Sequence, residues 1–398
     1  MKFRLFTCVL LVLICGASVW AADFGLVLDQ SAGISGFESD SNFDYTGGLL
    51  PRVSGLAGEN GEYYVSAGFY LKYKIEEFSF VPELLRTDIN FRFNNIYFRL
   101  GRMYYQDPMA LITDGLFDGA IVGYNTPVGL FSLGAWYTGL LFKDRANITM
   151  TVSDYEKTAA VLDYSDFAET YFAPKKFIAA LGWEHPALGE RFRTRLSALG
   201  QFDLGSEKLN TQYFVGKITL PITSAFFDVG GAFELKEYDG NTATGFAAEL
   251  GLSWFTPIPV SDRLLLRGRY ASGSTSAMGA FLPVTTVEQG TLLKAKLSGL
   301  SVITLDYSAR LARPVGLSLA ANYFIRNDTK TYISYPVSEG DGDGNMLGGE
   351  FFAWLLWSPF SDLRVNLGGG VFLPSMGNVA PDAASLWRLE LNVILALF

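Results

Sequence analysis

Sulfur and imidazole are scarce in this chain. Its 398 residues hold two cysteines and one histidine, and both cysteines, Cys8 and Cys15, fall within the first two dozen positions. Beyond them no disulfide can form, and no His/Cys zinc cluster can be assembled. A Ser-His or Asp-His catalytic pair would have to use His185, which precedes Pro186 in the turn-like stretch EHPALGE. No nucleophile elbow or phosphate-cradling glycine loop appears, so an enzyme is not expected, nor a metal or other cofactor. Charged residues are few as well, 18 % of the chain against about 25 % in soluble domains. The net charge of −9 disfavours nucleic acid, whose phosphates need a basic face. Hydrophobic residues reach 49 %, yet after the start of the chain no uninterrupted apolar run approaches the roughly 18 residues of a spanning helix. If this chain meets a membrane, helices do not cross it.

The N-terminus reads as a secretory signal: MKFR supplies the basic region, LFTCVLLVLICG the apolar core, and SVWA the small residues that suit cleavage after Ala21. A lipoprotein signal at Cys15 would put Ile14 where a small residue is preferred. The expected division is residues 1–21 as signal peptide and 22–398 as one exported domain.

What is abundant is alternation. In ERFRTRLSALGQF, Phe192, Thr194, Leu196, Ala198 and Phe202 share one face while Arg191, Arg193, Arg195, Ser197 and Gln201 share the other. In TGFAAELGLSWF, Phe246, Ala248, Leu250, Leu252 and Trp254 oppose Glu249 and Ser253. The segments run to about 10–14 residues, longer than the usual strand of a soluble sheet and sufficient to cross a bilayer at a tilt. Aromatic residues gather near segment ends, as in MYY at 103–105 and FFAWLLW at 351–357, in the manner of interfacial girdles. Every second connection is short: AGENGE, NNI, TPVG, EHPALGE, PITS, TPIPVSD, ARPVG and SPFSD. The long ones, 107–116, 144–174, 274–290, 327–346 and 374–385, fall between them. This pattern predicts an all-β fold, a closed antiparallel transmembrane β-barrel of 18 strands with short periplasmic turns and long extracellular loops. Sixteen is the alternative count, because Pro82 interrupts one segment and 285–311 reads as one bulged strand or two short ones.

The closing stretch WRLELNVILALF sets Trp387, Leu389, Leu391, Val393, Leu395 and Leu397 on the lipid face, with Arg388, Glu390 and Asn392 inward. Here the chain resembles the outer-membrane β-barrel proteins of two-membraned bacteria, whose last strand ends in an aromatic residue, as Phe398 does. The resemblance implies an outer-membrane location among its lipids, and insertion by the barrel-assembly machinery that reads this terminal signature. Asn392 and Glu390 share the parity of Phe398, which asks for a bulge or a looser variant of the signature. The stretch FRLGRMYYQDPMALITDGLFDGA at 98–120 is similar to the strand–loop–strand of porin-like and alginate-export-like barrels, which implies a pore-forming relative.

A barrel of this width encloses water. The polar-in alternation places roughly seventeen Lys and Arg inward against about ten Asp and Glu. The expected lining comprises Arg92, Arg99, Arg191, Arg193, Arg195, Glu249, Arg267, Arg269, Arg326, Arg364 and Arg388, which favours anions unless the arginines simply pair with Glu249, Asp228 and Asp306. Loop acids are the candidate constriction: Asp107 and Asp114 in the shorter loop, Asp154 and Glu156 in the longer. An inward acidic loop against a basic wall would set up a transverse field. EGDGDGNMLGGE at 339–350 has the alternate acids of a calcium loop, but Glu350 is the tenth residue from Asp341 where an EF-hand needs the twelfth. The expected function is a porin-like channel for passive diffusion of small hydrophilic solutes with a modest anion preference. An adhesin or structural barrel, and a gated carrier of amphipathic solutes, are the alternatives. The sequence does not fix the oligomeric state.

Overall fold

A computed structural model of the chain describes residues 22–38, 40–74, 77–258, 260–275, 278–331 and 343–397. The signal-peptide reading of 1–21 and the terminal Phe398 lie outside the described residues. Eighteen strands form the wall. In chain order they are β1 (Ala22–Phe37), β2 (Asp40–Leu56), β3 (Gly61–Lys74), β4 (Glu77–Phe93), β5 (Ile96–Gln106), β6 (Asp114–Thr126), β7 (Gly129–Tyr137), β8 (Lys176–Leu188), β9 (Phe192–Asp203), β10 (Asn210–Ile222), β11 (Ala225–Tyr238), β12 (Asn241–Phe255), β13 (Asp262–Ala271), β16 (Leu300–Ala312), β17 (Val315–Arg326), β18 (Met346–Phe360), β19 (Leu363–Leu373) and β20 (Leu386–Leu397). The two-residue strands β14 (Glu288–Gln289) and β15 (Ala295–Lys296) pair only with each other.

Each wall strand pairs antiparallel with its neighbours in sequence, and β20 pairs with β1 from Phe37↔Leu386 to Leu26↔Leu397. The ring is closed, so no sheet edge is left without a partner at its ends. The predicted all-β, 18-strand barrel is what forms, and sixteen is excluded. Only β16 of the 285–311 stretch enters the wall. No register shift interrupts β20, so the bulge suggested by the parity of Phe398 is absent from Leu386–Leu397.

All eight connections read as tight turns are short and lie at one end. The other end is not uniformly long. Residues 239–240 make a two-residue hairpin in which Asp239 and Gly240 both take positive φ, 50° and 73°, the turn that Asp-Gly supports. Among the described residues, most of the irregular chain at that end lies in 107–113, 138–175, 204–209 and 374–385 and in the described parts of 272–299 and 327–345. Three short helices, Lys143–Ala146, Val152–Ala159 and Phe167–Tyr171, punctuate the longest.

Alternation sorts the wall as expected. Leu250, Leu252 and Trp254 of β12, and Leu389, Leu391 and Leu397 of β20, stand exposed on the outside. Of their neighbours, Glu249 accepts from Arg269 of the adjoining β13 and Asn392 donates to Asp29 of the adjoining β1, while Arg388 and Glu390 bond to each other along β20. Proline in β4 has a local reason. Between Val65↔Thr87 and Ala67↔Leu84 the register slips, and Ser66 Oγ closes the bulge by accepting from Arg86 N at 3.1 Å. Above it, β4 pairs with β3 alone, because the β4–β5 ladder stops at Thr87↔Arg102. A proline costs no hydrogen bond on such a free edge.

Candidate functional site: the bore and its folded-in loops

Three of the loops turn into the barrel, and buried side chains hold them there. In 107–113 the Asp107 carboxylate is fully buried and accepts the N–H groups of Met109, Leu111, Ile112 and Thr113 at 2.8–3.1 Å. Burial pushes its carboxyl up, while the amides of Thr113, Ile112, Met109 and Leu111 pull it back. The loop crosses toward the far wall: Met109 lies against Gly230 of β11, where an added methyl would come within 3.0 Å of its Cγ. Arg195 Nη2 of β9 donates to Pro108 O at 2.7 Å.

In the 138–175 loop, Thr151 and Asp154 form a reciprocal capping box that starts the second helix. The same Asp154 and Asp203 of β9 hold Lys176 Nζ at 2.9 and 2.8 Å, all three buried. Such a triad is costly to break, because removing one member strands a buried charge. Arg145 reaches the wall at Glu83 and Tyr70. Burial pulls its guanidinium down, yet the Glu83 carboxylate wins and holds it above its ordinary value.

The third segment, 272–299, threads between the other two. Thr285 N donates to Ile112 O and Thr286 N to Asn147 O, and Asp114 N donates to Thr285 Oγ1 at 2.9 Å. Glu234 of β11 accepts Leu282 N, and Glu350 of β18 accepts Thr291, Leu292 and Leu293 N at 2.7–3.0 Å. Lys296 Nζ donates to Thr149 O at 2.6 Å. Burial lowers this lysine to about 8, with Asp154 and Glu234 opposing and Lys236 assisting.

Behind these bonds are apolar cores inside the barrel. Met109, Leu111 and Ile112 pack with Ile148, Met150, Phe281 and Val284 from the other loops, against Leu199, Tyr213, Val215, Ala232 and Ala247 of the wall. Leu292 and Leu293 pack on Val302, Phe324, Phe352 and Phe372. Phe142 and Tyr171 pack on Tyr70 and Val81. In several strands polar-in alternation therefore gives way toward the loop end. Lys217 of β10 gives way to Val215 and Tyr213 toward the loop end, Arg269 of β13 to Ala271, and Asp306 of β16 to Val302.

What space remains between the loops is polar. A cavity of about 530 Å³ is lined by Thr46, Tyr70, Lys72, Glu83, Asp114, Asp144, Arg145 and Glu288 among others. Its charges interleave: wall Lys72 pairs with loop Asp144 at 3.2 Å, and loop Arg145 with wall Glu83 at 3.0 Å. Acid and base thus stand on both sides, an arrangement unlike the acidic loop facing a basic wall that the sequence suggested.

The expected lining residues scatter accordingly. Arg92, Arg191 and Arg364 are exposed near the short-turn end, Arg191 in the turn itself. Arg99 pairs with Asp88 at 2.6 Å, and Arg193 with Glu184 at 2.6 Å. Glu249 is shared by Arg269 and Lys217, each at 2.8 Å. Arg388 is gripped by Asp44 and Glu390. Arg326 is 1 % exposed and donates to Gly344 O, so it braces a loop rather than facing water. Arg267 differs from the rest: its Nε is buried without a hydrogen-bond partner. Of the loop acids, Asp114 borders the cavity and Glu156 is exposed on its helix, whereas Asp107 and Asp154 are buried in the loops they organise. Sequence reasoning missed Glu234, Glu350, Lys296 and Arg102. Glu350 closes the calcium-like stretch, and its carboxylate is committed to amides; the only trace was an acid set in the apolar LGGEFFAW.

A closed even-stranded meander, oily outside and charged within, with loops folded into its bore, is the architecture of outer-membrane barrels. Solved outer-membrane proteins share it. Pseudomonas aeruginosa OccK2 (OpdF) superposes with a TM-score of 0.64 at 12 % identity, over 95 % of this chain and 98 % of that one. The opdK protein of the same organism gives 0.62 at 12 % identity over 94 % and 98 %, and OprD gives 0.59 at 12 % over 94 % and 93 %. The expected likeness to porin-like outer-membrane barrels is thus met in the fold. No family model and no curated protein matches the chain.

Proposed function

We propose that this chain is an outer-membrane channel through which small hydrophilic solutes diffuse passively, with a modest preference for anions. Its fold supports the location and the route, and residues 1–21 supply the export signal in this reading. Outer-membrane lipids and the barrel-assembly machinery are its partners. The observation that carries the preference is Arg267. It sits on the inward face of β13 between Arg263 and Arg269, whose charges are met by Asp306 and Glu249, while among the described residues no carboxylate forms a salt bridge with Arg267, and its Nε has no hydrogen-bond partner. A cation with no carboxylate in direct contact is open to mobile anions. Arg195, which donates to a carbonyl and not a carboxylate, adds to it. One of the similar solved channels, OccK2, is in complex with glucuronate, and small carboxylates are the solute class proposed here.

Planar-bilayer recording under a KCl gradient tests this. The expected result is steady conductance with a reversal potential on the chloride side, moving toward zero in Arg267→Ala. A folded barrel that passes no current would remove the channel reading. Cation preference, or an Arg267→Ala reversal potential equal to the parent's, would remove the anion reading.

A further inference from the structure

Between β4 and β5 the wall is closed by side chains. Beyond Thr87↔Arg102 the two strands no longer bond to each other, though β4 continues along β3 to Glu77. On this free edge the carbonyls of alternate residues find other donors. Tyr164 Oη donates to Phe80 O, Tyr171 Oη to Pro82 O at 2.7 Å, and Arg102 Nη1 to Leu84 O. Arg102 also holds Asp118 at 2.8 Å and Leu140 O at 2.9 Å.

The opening lies at membrane depth. Phe43, Tyr73 and Phe78 pack on one another at centroid distances of 6.0 and 4.7 Å, an outward aromatic group of the kind that marks the interface. Residues 80–86 lie on the bilayer side of it. In hydrocarbon a free strand edge must be satisfied internally, and three side chains from elsewhere do so. Breaking them disturbs no backbone ladder.

A strip of aromatic rings joins the wedge to the bore. Tyr70 and Phe142 border the 530 Å³ cavity. Phe142 meets Tyr171 at 5.0 Å, and Tyr171 stacks with Phe167 at 4.5 Å. On the outer side Phe80, Tyr164 and Leu140 are half exposed. Cations stand at both ends of the strip, Lys72 and Arg145 in the cavity and Arg102 in the wedge. Lys72 is held by Asp144, whose side chain is half in water, so an incoming carboxylate can replace it at little cost.

We propose that the β4–β5 wedge is a lateral passage through which a single-chain amphiphile with an anionic head leaves the bore for the membrane. The head exchanges for Asp144 at Lys72, and the tail displaces the Phe142–Tyr171–Phe167 rings. Tyr164 and Tyr171 release β4 to let it out. This route is separate from hydrophilic diffusion along the bore.

Because the chain beyond Cys15 is free of cysteine, the double variant Phe80→Cys/Tyr164→Cys can be bridged across the wedge with a bismaleimide. Uptake of radiolabelled dodecanoate is measured in a bacterial host lacking its own fatty-acid channel, and KCl conductance is measured on the same purified barrel. Uptake at least fivefold above the host alone is expected for the parent chain, and higher still for the unbridged variant, which has lost the Tyr164 Oη bond to Phe80 O. Bridging should return it to background with conductance unchanged. Parent uptake at background would overturn the proposal, as would uptake that survives complete bridging. Joint loss of uptake and conductance would also overturn it, since the dodecanoate would then be using the bore.

Discussion

The two ends of the barrel solve opposite problems with the same strands. Toward the short turns the inward face is charged, and its groups satisfy one another along and across strands: Arg86, Asp88 and Arg99, or Lys217, Glu249 and Arg269. Toward the loops much of the inward face is apolar, and there it is covered by loop residues that act as a second core. One half of the bore is lined by paired charges, and packed side chains occupy much of the other. The difference teaches that a barrel interior need not be read as lumen throughout. Where loops are long enough to fold back, the inward parity of a strand obeys the rules of a soluble core, including the demand that buried polar groups be paired.

The sharpest way to break this contrast is to release the loop core. Glu350→Ala removes the acceptor of three amides, two of them buried, at roughly 3 kcal/mol in total. The expected outcome is a barrel that still shows its folded, heat-modifiable band but is cleaved by protease within 272–299 and conducts more than the parent. Protection equal to the parent's would show that the apolar contacts hold this segment without the carboxylate.

A smaller effect follows from Lys296. Its folded value of about 8 lies below the ordinary 10.5, so the packed loop binds fewer protons than the released loop between those values. Packing of 272–299 therefore tightens as pH rises through about 8 to 10.5 and carries the full burden of the buried charge below it. Lys296→Met should slow proteolysis at pH 7, by on the order of 1–2 kcal/mol of loop stability, and flatten its pH dependence. The same steep dependence in the variant would assign the titration elsewhere.

The mildest test is Gly230→Ala. Its methyl meets the flexible Met109 side chain at 3.0 Å, and a cost below about 1 kcal/mol is expected, visible as a small change in conductance with thermal stability nearly unchanged. A large loss of stability would mean that the tip of 107–113 has no room to yield.

Much of the wall was legible in the sequence, because alternation and turn chemistry are local. Leu250, Leu252 and Trp254 announce their face within a few residues, and each tight turn carries its own glycine, proline or Asx signal. The bore was less so. Nothing near Asp107 indicates that four following amides will bend around it, and Glu350 meets residues 57 to 59 positions earlier in the chain. Pro82 looked like an interruption because the missing β5 partner that makes it harmless is a feature of the assembled wall. Inward apolar residues such as Val215 and Phe372 could not be told from outward ones until the loops that cover them were placed.

Pairing of β1 with β20 has a bearing on assembly. The contact Leu26↔Leu397 joins the two ends of the described chain, so the ring cannot be completed until the last strand is available. Loop-closure entropy for so distant a pair must be met before any of its hydrogen bonds form. Until then both terminal strands expose a full edge, open to pairing with another chain. Such a molecule gains by waiting: kept unpaired by a chaperone and closed in one late event, it avoids a half-built sheet whose only available partner is another copy of itself.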